Sequence, residues 1–151
     1  MRVLCCTRRP SPQRERKAGV KFVPINELMQ EADFVVICAA LTSQTKGLVG
    51  EEQIALMKKD AYLINVARAA IVDNTALYKA LKDKAIAGAG LDVLEKEPPG
   101  ETHPFFELDN VVITPHLGSR TKGAINRVSM MIADAILEVE AGKEPVHFVC
   151  Q

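Results

Sequence analysis

A chain of 151 residues is long enough for one domain with a real core, and an apolar fraction of 48% is ordinary for a globular protein. Its 19 basic and 19 acidic residues cancel, so no charge imbalance points to nucleic acid or to an anionic membrane surface. No apolar run reaches the ~20 residues of a membrane span, and the opening Met1-Arg2-Val3-Leu4-Cys5-Cys6 is too short and too quickly polar for a signal peptide. Cys5, Cys6, Cys38 and Cys150 fit no zinc spacing, and no metal site is expected. They are read as reduced structural thiols, Cys38 in the core, which implies a cytoplasmic location.

In chain order, Met1 to Cys6 reads as a strand, and Pro10, Ser11 and Pro12 then break regular structure. A short helix is expected over Glu27 to Glu31 with Asn26 as its cap. The continuous apolar run Phe34-Val35-Val36-Ile37-Cys38 suits a strand buried on both faces. Glu51 to Lys59 is acidic at its start and basic at its end, as a helix dipole favours. Ala61 to Val66 is a second buried strand. Asp73 is placed to cap a helix to about Lys82, with Leu77 and Leu81 on one face. Ala87 to Leu91 is a strand of small residues, against which something must pack closely. A loop rich in Pro and Gly follows from Pro98 to Pro104, then a last strand Val111 to Thr114. Thr121 caps the longest helix, which ends near Gly142 and carries Ala124, Val128, Met131, Ile132, Ala135 and Val139 on one apolar face. Short apolar runs alternating with amphipathic stretches predict an α/β fold with a parallel sheet.

Several polar residues stand where such sheets do chemistry, just beyond the carboxyl ends of strands. Arg68 follows one strand, and a guanidinium there can grip a carboxylate with two parallel hydrogen bonds and polarise a keto oxygen. Asp92 ends the small-residue strand. His116 follows the last strand, between Pro115 and Gly118, and an imidazole titrates where proton donation at neutral pH needs it to. The first strand runs into Thr7-Arg8-Arg9 with no acid. In a dinucleotide fold that takes NAD, a carboxylate commonly stands there for the ribose 2′-hydroxyl, whereas arginines suit a 2′-phosphate, so such a fold here would favour NADP over NAD. His103 and His147 belong to no motif and are read as surface residues.

Four segments in this order resemble the nucleotide-binding domain of the D-2-hydroxyacid dehydrogenases, and most closely the glyoxylate/hydroxypyruvate reductases among them. They are Ala32-Asp33-Phe34-Val35-Val36 with residues 41–48, Leu63 to Arg68 with Val72-Asp73, Ala89 to Pro98, and Asn110 to Ser119. The resemblance implies a Rossmann-like doubly wound parallel sheet and a homodimer at full length. It implies reduction of a small 2-keto acid such as glyoxylate or hydroxypyruvate, with Arg68, Glu97 and His116 catalytic. Glu97, the acid directly before Pro98, is preferred to Glu95 as the partner that orients His116, since a carboxylate beside an imidazole favours its charged form. Thr7, Arg8, Arg9, Ala40, Val66, Ala67, Arg68, Asp92, His116 and Gly118 are implied to contact the cofactor, with Asp92 bonding the nicotinamide carboxamide.

The sequence departs from the family in three ways. The strand and glycine-rich turn that cradle the pyrophosphate are missing, as is most of the substrate-binding domain. Residues 1–151 are therefore expected to be a partial dinucleotide-binding domain, inactive alone, whose 143–151 tail returns in the family toward the absent domain. Ala69 replaces the family's usual Gly, a cost on the order of a kcal/mol if that backbone needs positive φ. Ala39 and Ala40 stand where relatives often carry a hydroxyl or a proline. Two competing readings are a non-catalytic NAD(P)-binding module, as in corepressors built on this fold, and an inert truncated product.

Overall fold

A computed structural model describes residues 1–146, so His147, Cys150 and the end of the 143–151 tail lie outside the described residues. Strands and helices alternate: β1 (Leu4–Cys5), α1 (Pro12–Ala18), β2 (Lys21–Phe22), α2 (Ile25–Glu31), β3 (Phe34–Ile37), α3 (Glu51–Ala55), β4 (Tyr62–Asn65), α4 (Asn74–Lys82), β5 (Gly88–Leu91), β6 (Val111–Ile113) and α5 (Lys122–Glu140). Met1–Pro115 form one compact unit, and a second begins at His116.

Every strand pairing is parallel. β1 pairs with β2, and a separate sheet runs β3-β4-β5-β6. This is the α/β, Rossmann-like architecture expected, with its parallel strands divided into the pair β1-β2 and the run β3-β4-β5-β6.

The register explains which residues make the core. Val35, Leu63, Ala89 and Val111 lie in one row, and Ile37, Asn65 and Leu91 in another. These rows face the layer containing Met29 of α2, Ile54 of α3 and Leu77 and Leu81 of α4, all buried. The intervening rows, Phe34–Tyr62–Gly88 and Val36–Ile64–Gly90–Val112, face the other way. There Phe34 is 62% and Val112 69% exposed, and the Phe34 and Tyr62 rings stack 5.6 Å apart. The expectation that β3 and β4 are buried on both faces is thus corrected. Both carry apolar residues on both faces, but the second face is left open. Cys38, just past β3, is likewise exposed rather than in the core; Cys5, Cys6 and Cys38 are free thiols.

Local chemistry corrects other boundaries. Pro12 starts a helix instead of extending the break, because a proline at the first helical position gives up an N–H that has no partner there anyway. α2 begins at Ile25 after Pro24, so Asn26 lies inside it and accepts from Gln53 Nε2 at 3.3 Å instead of capping. α3 stops at Ala55, short of Lys59. Asp73 caps α4 as expected, accepting from the N–H groups of Thr75 and Ala76 at 3.0 Å each. Thr121 caps α5 through the Ala124 N–H. The periodic apolar face of α5 is real, yet no residue of that helix is buried.

The small residues of β5 are dictated by close packing. A Cβ on Gly88 would lie 2.6 Å from the Asn110 carbonyl oxygen and 3.1 Å from the Tyr62 ring. Asn110 itself donates to the carbonyls of Leu81 and Ala87, which ties the end of α4 to the start of β5 and β6.

Candidate functional site

The carboxyl ends of β3, β4, β5 and β6 share one sheet edge, and four loops leave it. At the end of β4, Asn65 is 1% exposed and turns its amide back on the chain: its Oδ1 accepts from the Ala67 N–H at 3.1 Å, and its Nδ2 donates to the Arg68 carbonyl at 3.0 Å. Arg68 keeps an extended backbone, and residues Ala69–Ile71 then form one 3-10 turn. Ala69 is not among the positive-φ residues, so the conditional penalty for lacking glycine there does not arise. The turn is held on its far side too. Gly47 donates to the Ala70 carbonyl at 2.9 Å, Val49 to that of Ile71 at 3.1 Å, and the Asn74 amide reaches the carbonyls of Ala69 and Val72 at 3.3 Å.

These bonds join the loop after β3 to the turn after β4. Between them lies an open groove of about 520 Å³ lined by Cys38, Ala39, Ala40, Leu41, Val66, Ala67 and Arg68. Its β3 wall is fixed by Thr45, whose hydroxyl donates to the Ala40 carbonyl at 2.7 Å. The Arg68 guanidinium is exposed beside the groove and donates to the Ala67 carbonyl at 2.7 Å. Most of its lining side chains are small, Arg68 adds a cation, and it stands at the strand-end position where open α/β sheets bind ligands.

Asp92, one residue past β5, is 8% exposed. Its N–H donates to the Asn65 carbonyl at 3.0 Å, so the two buried polar residues are neighbours on one edge. Its carboxylate accepts a short hydrogen bond from the Thr114 hydroxyl, just beyond β6. Glu97 is exposed, and its Oε1 accepts from the Leu94 N–H at 3.0 Å. Glu95 is engaged elsewhere, accepting from the Asn74 amide at 3.1 Å. At β1, Thr7 is half-buried and Arg8 and Arg9 are exposed; Arg8 Nη1 donates to Gln44 Oε1 at 2.9 Å, linking the two sheets. Burial, and the neighbouring Cys5, push the Cys6 thiol up from its ordinary pKa.

Ala40, Val66, Ala67, Arg68 and Asp92 therefore gather at one edge, with Glu97 on the loop leaving it. His116 and Gly118 belong to the second unit. His116 lies three residues past β6, is exposed, and has a left-handed backbone with φ of 54°; Gly118 sits in a turn. His103, read as a surface residue, is half-buried. It caps the 3-10 turn Pro104–Glu107 through the Phe105 N–H and stacks on the Phe105 ring at 5.4 Å. Among the described residues, no group of His, Cys, Asp and Glu could hold a metal ion, and no helix is long and apolar enough to cross a membrane. The structure adds Asn65, Asn74 and Thr114 to the site. Only Asn65 carried a visible signal, being a polar residue within an apolar strand.

A family profile described as D-isomer specific 2-hydroxyacid dehydrogenase, NAD binding domain, matches residues 1–118. A glyoxylate reductase from Pyrococcus horikoshii is 45% identical over 149 residues, which are 99% of this chain and 44% of that protein. The TT0316 protein from Thermus thermophilus superposes with a TM-score of 0.88 at 39% identity, over 97% of this chain and 45% of that one. The D-isomer specific 2-hydroxyacid dehydrogenase from Lactobacillus delbrueckii ssp. bulgaricus, in its NAD complexed form, superposes with a TM-score of 0.83 at 31% identity, over 99% and 48%. The chain thus spans less than half the length of each of these relatives.

Proposed function

Since the chain belongs to the D-isomer specific 2-hydroxyacid dehydrogenase family through its NAD binding domain, we propose that it supplies the cofactor side of an oxidoreductase that reduces a small 2-keto acid, such as glyoxylate or hydroxypyruvate, to the D-2-hydroxy acid. The observation that carries this reading is the shared carboxyl edge, where Arg68, the buried Asp92 and an open small-residue groove come from neighbouring strand ends. The reduced nicotinamide, when bound, supplies the hydride. Arg68 grips the keto acid's carboxylate and draws electron density toward the keto oxygen. His116, as imidazolium, gives its proton to that oxygen as it becomes an alkoxide. Glu97 orients the imidazole. Asp92, steadied by Thr114, bonds the carboxamide of the nicotinamide. Ala40, Val66, Ala67 and Gly118 contribute close-packed surface to the cofactor. Thr7, Arg8 and Arg9 receive the ribose end, and the absence of an acid beside them favours NADP over NAD.

In this reading the protein acts at full length as a cytoplasmic homodimer. The 151 residues alone lack the second wall of the cleft, which would exclude water and hold the reactants in register. The test joins the chain behind the amino-terminal part of the Pyrococcus horikoshii relative and follows hydroxypyruvate reduction with NADPH. The expected product is D-glycerate, with the unjoined chain inactive. Formation of the L-isomer would refute the assignment. Cofactor binding without turnover would favour the non-catalytic module.

A further inference from the structure

We infer that Asn65 is a positioning residue for carboxylate recognition: its side-chain amide sets the direction in which Arg68 leaves the sheet. The inference rests on the reading of Arg68 as the carboxylate-gripping residue and adds a residue to it. An amide buried to 1% exposure must have its hydrogen bonds met inside the protein, or it destabilises the fold. Both of its functional atoms are met, and both partners lie within the next three residues. Oδ1 takes the Ala67 N–H at 3.1 Å, and Nδ2 gives to the Arg68 carbonyl at 3.0 Å. The side chain thus closes a ring around Val66 and Ala67, the two residues that link strand to guanidinium.

The Arg68 carbonyl also accepts from the Ile71 N–H at 3.2 Å, so one oxygen is shared between the amide and the 3-10 turn. Position 65 is itself fixed, because β4 is paired on both sides: Asn65 is in register with Ile37 and with Leu91, and its own carbonyl accepts from Asp92. A rigid strand end, a buried amide and a three-residue span together leave Arg68 little backbone freedom. A flexible side chain that starts from a fixed Cα is better prepared to meet a planar carboxylate than one on a loose loop. Leucine at this position would fill similar space but would leave the Ala67 N–H and the Arg68 carbonyl without the amide's hydrogen bonds.

The test uses oxalate as the probe and the 151-residue chain, with binding read from the Arg68 Nε–H and Ala67 N–H resonances, a method that reaches weak affinities. Arg68→Ala is expected to abolish the oxalate response of the Ala67 N–H. Asn65→Leu is expected to weaken oxalate binding about tenfold, since displacing a binding group from its productive geometry is costly even when its charge is kept. In the Arg68→Ala background, Asn65→Leu is expected to add nothing. Asn65→Asp keeps the acceptor for Ala67 but loses the donor to Arg68, and is expected to fall between parent and Asn65→Leu; it also serves if the leucine variant does not fold. A folded Asn65→Leu or Asn65→Asp variant that binds oxalate as the parent does overturns the inference and leaves the Arg68 reading standing. A parent chain in which oxalate fails to move Arg68 removes that reading, and the inference with it.

Discussion

His116 and Lys84 are the two non-glycine residues with positive φ among those described. Histidine tolerates that region better than a branched side chain, at a cost of about 1 kcal/mol or more, and such strain collects at functional positions. Local sequence showed His116, Arg68 and Asp92 as strand-end residues, but not what holds them. Partners such as Thr114 for Asp92 and Asn74 for Glu95 are distant in sequence, and no spacing rule reaches across 21 or 22 residues to find them. Cofactor preference is also decided by single residues. Arg8 and Arg9 are exposed at the end of β1, and the Arg8 guanidinium donates to the neutral amide of Gln44, so it keeps a charge to offer a 2′-phosphate. A charge-assisted hydrogen bond is worth about 1.5–3 kcal/mol. Replacing both arginines with alanine should therefore weaken NADPH binding at least about tenfold while NADH changes little. Fluorescence titration of the joined protein with each cofactor measures this, and equal losses for both would assign the arginines to the shared pyrophosphate or to folding.

Among the elements, β5 shows how a strand can be fixed by what it lacks. Its glycines let β4 and the residue before β6 come close, and the sequence announced close packing without saying on which side. The two glycines differ sharply. A Cβ on Gly88 would meet backbone oxygen at 2.6 Å, whereas one on Gly90 would lie an ordinary 3.7 Å from Ile64. Gly88→Ala should destabilise the chain by about 1–3 kcal/mol, the usual cost of overpacking, and Gly90→Ala should be near neutral. Paired chemical denaturation of the two variants decides it, and equal stabilities would mean that β6 yields easily. The elements that the sequence concealed, α1 and β2, are short. β2 has two residues, too few for any alternation to register, and the prolines beside α1 disguised a helix start as a break.

For the molecule as a whole, the legible part was the order of strands and the edge they share; the illegible part was cover. An apolar run such as Phe34–Ile37 states that both faces of a strand are suited to burial, but not whether the chain supplies both layers. The layer of α2, α3 and α4 covers one face, while Phe34, Val36, Tyr62 and Val112 stay open on the other. In the proposed reading the chain carries the reacting groups, and the opposing wall comes from the part of a relative that this chain does not span, more than half of the Pyrococcus protein. The most direct test is the rate of NADPH oxidation by glyoxylate in the joined protein, parent against His116→Ala. Turnover by the parent is expected, with a fall in kcat of ~10²–10⁴ in the variant, the range for a lost proton donor. A variant that turns over at the parent's rate, with NADPH bound equally well by both, would contradict it.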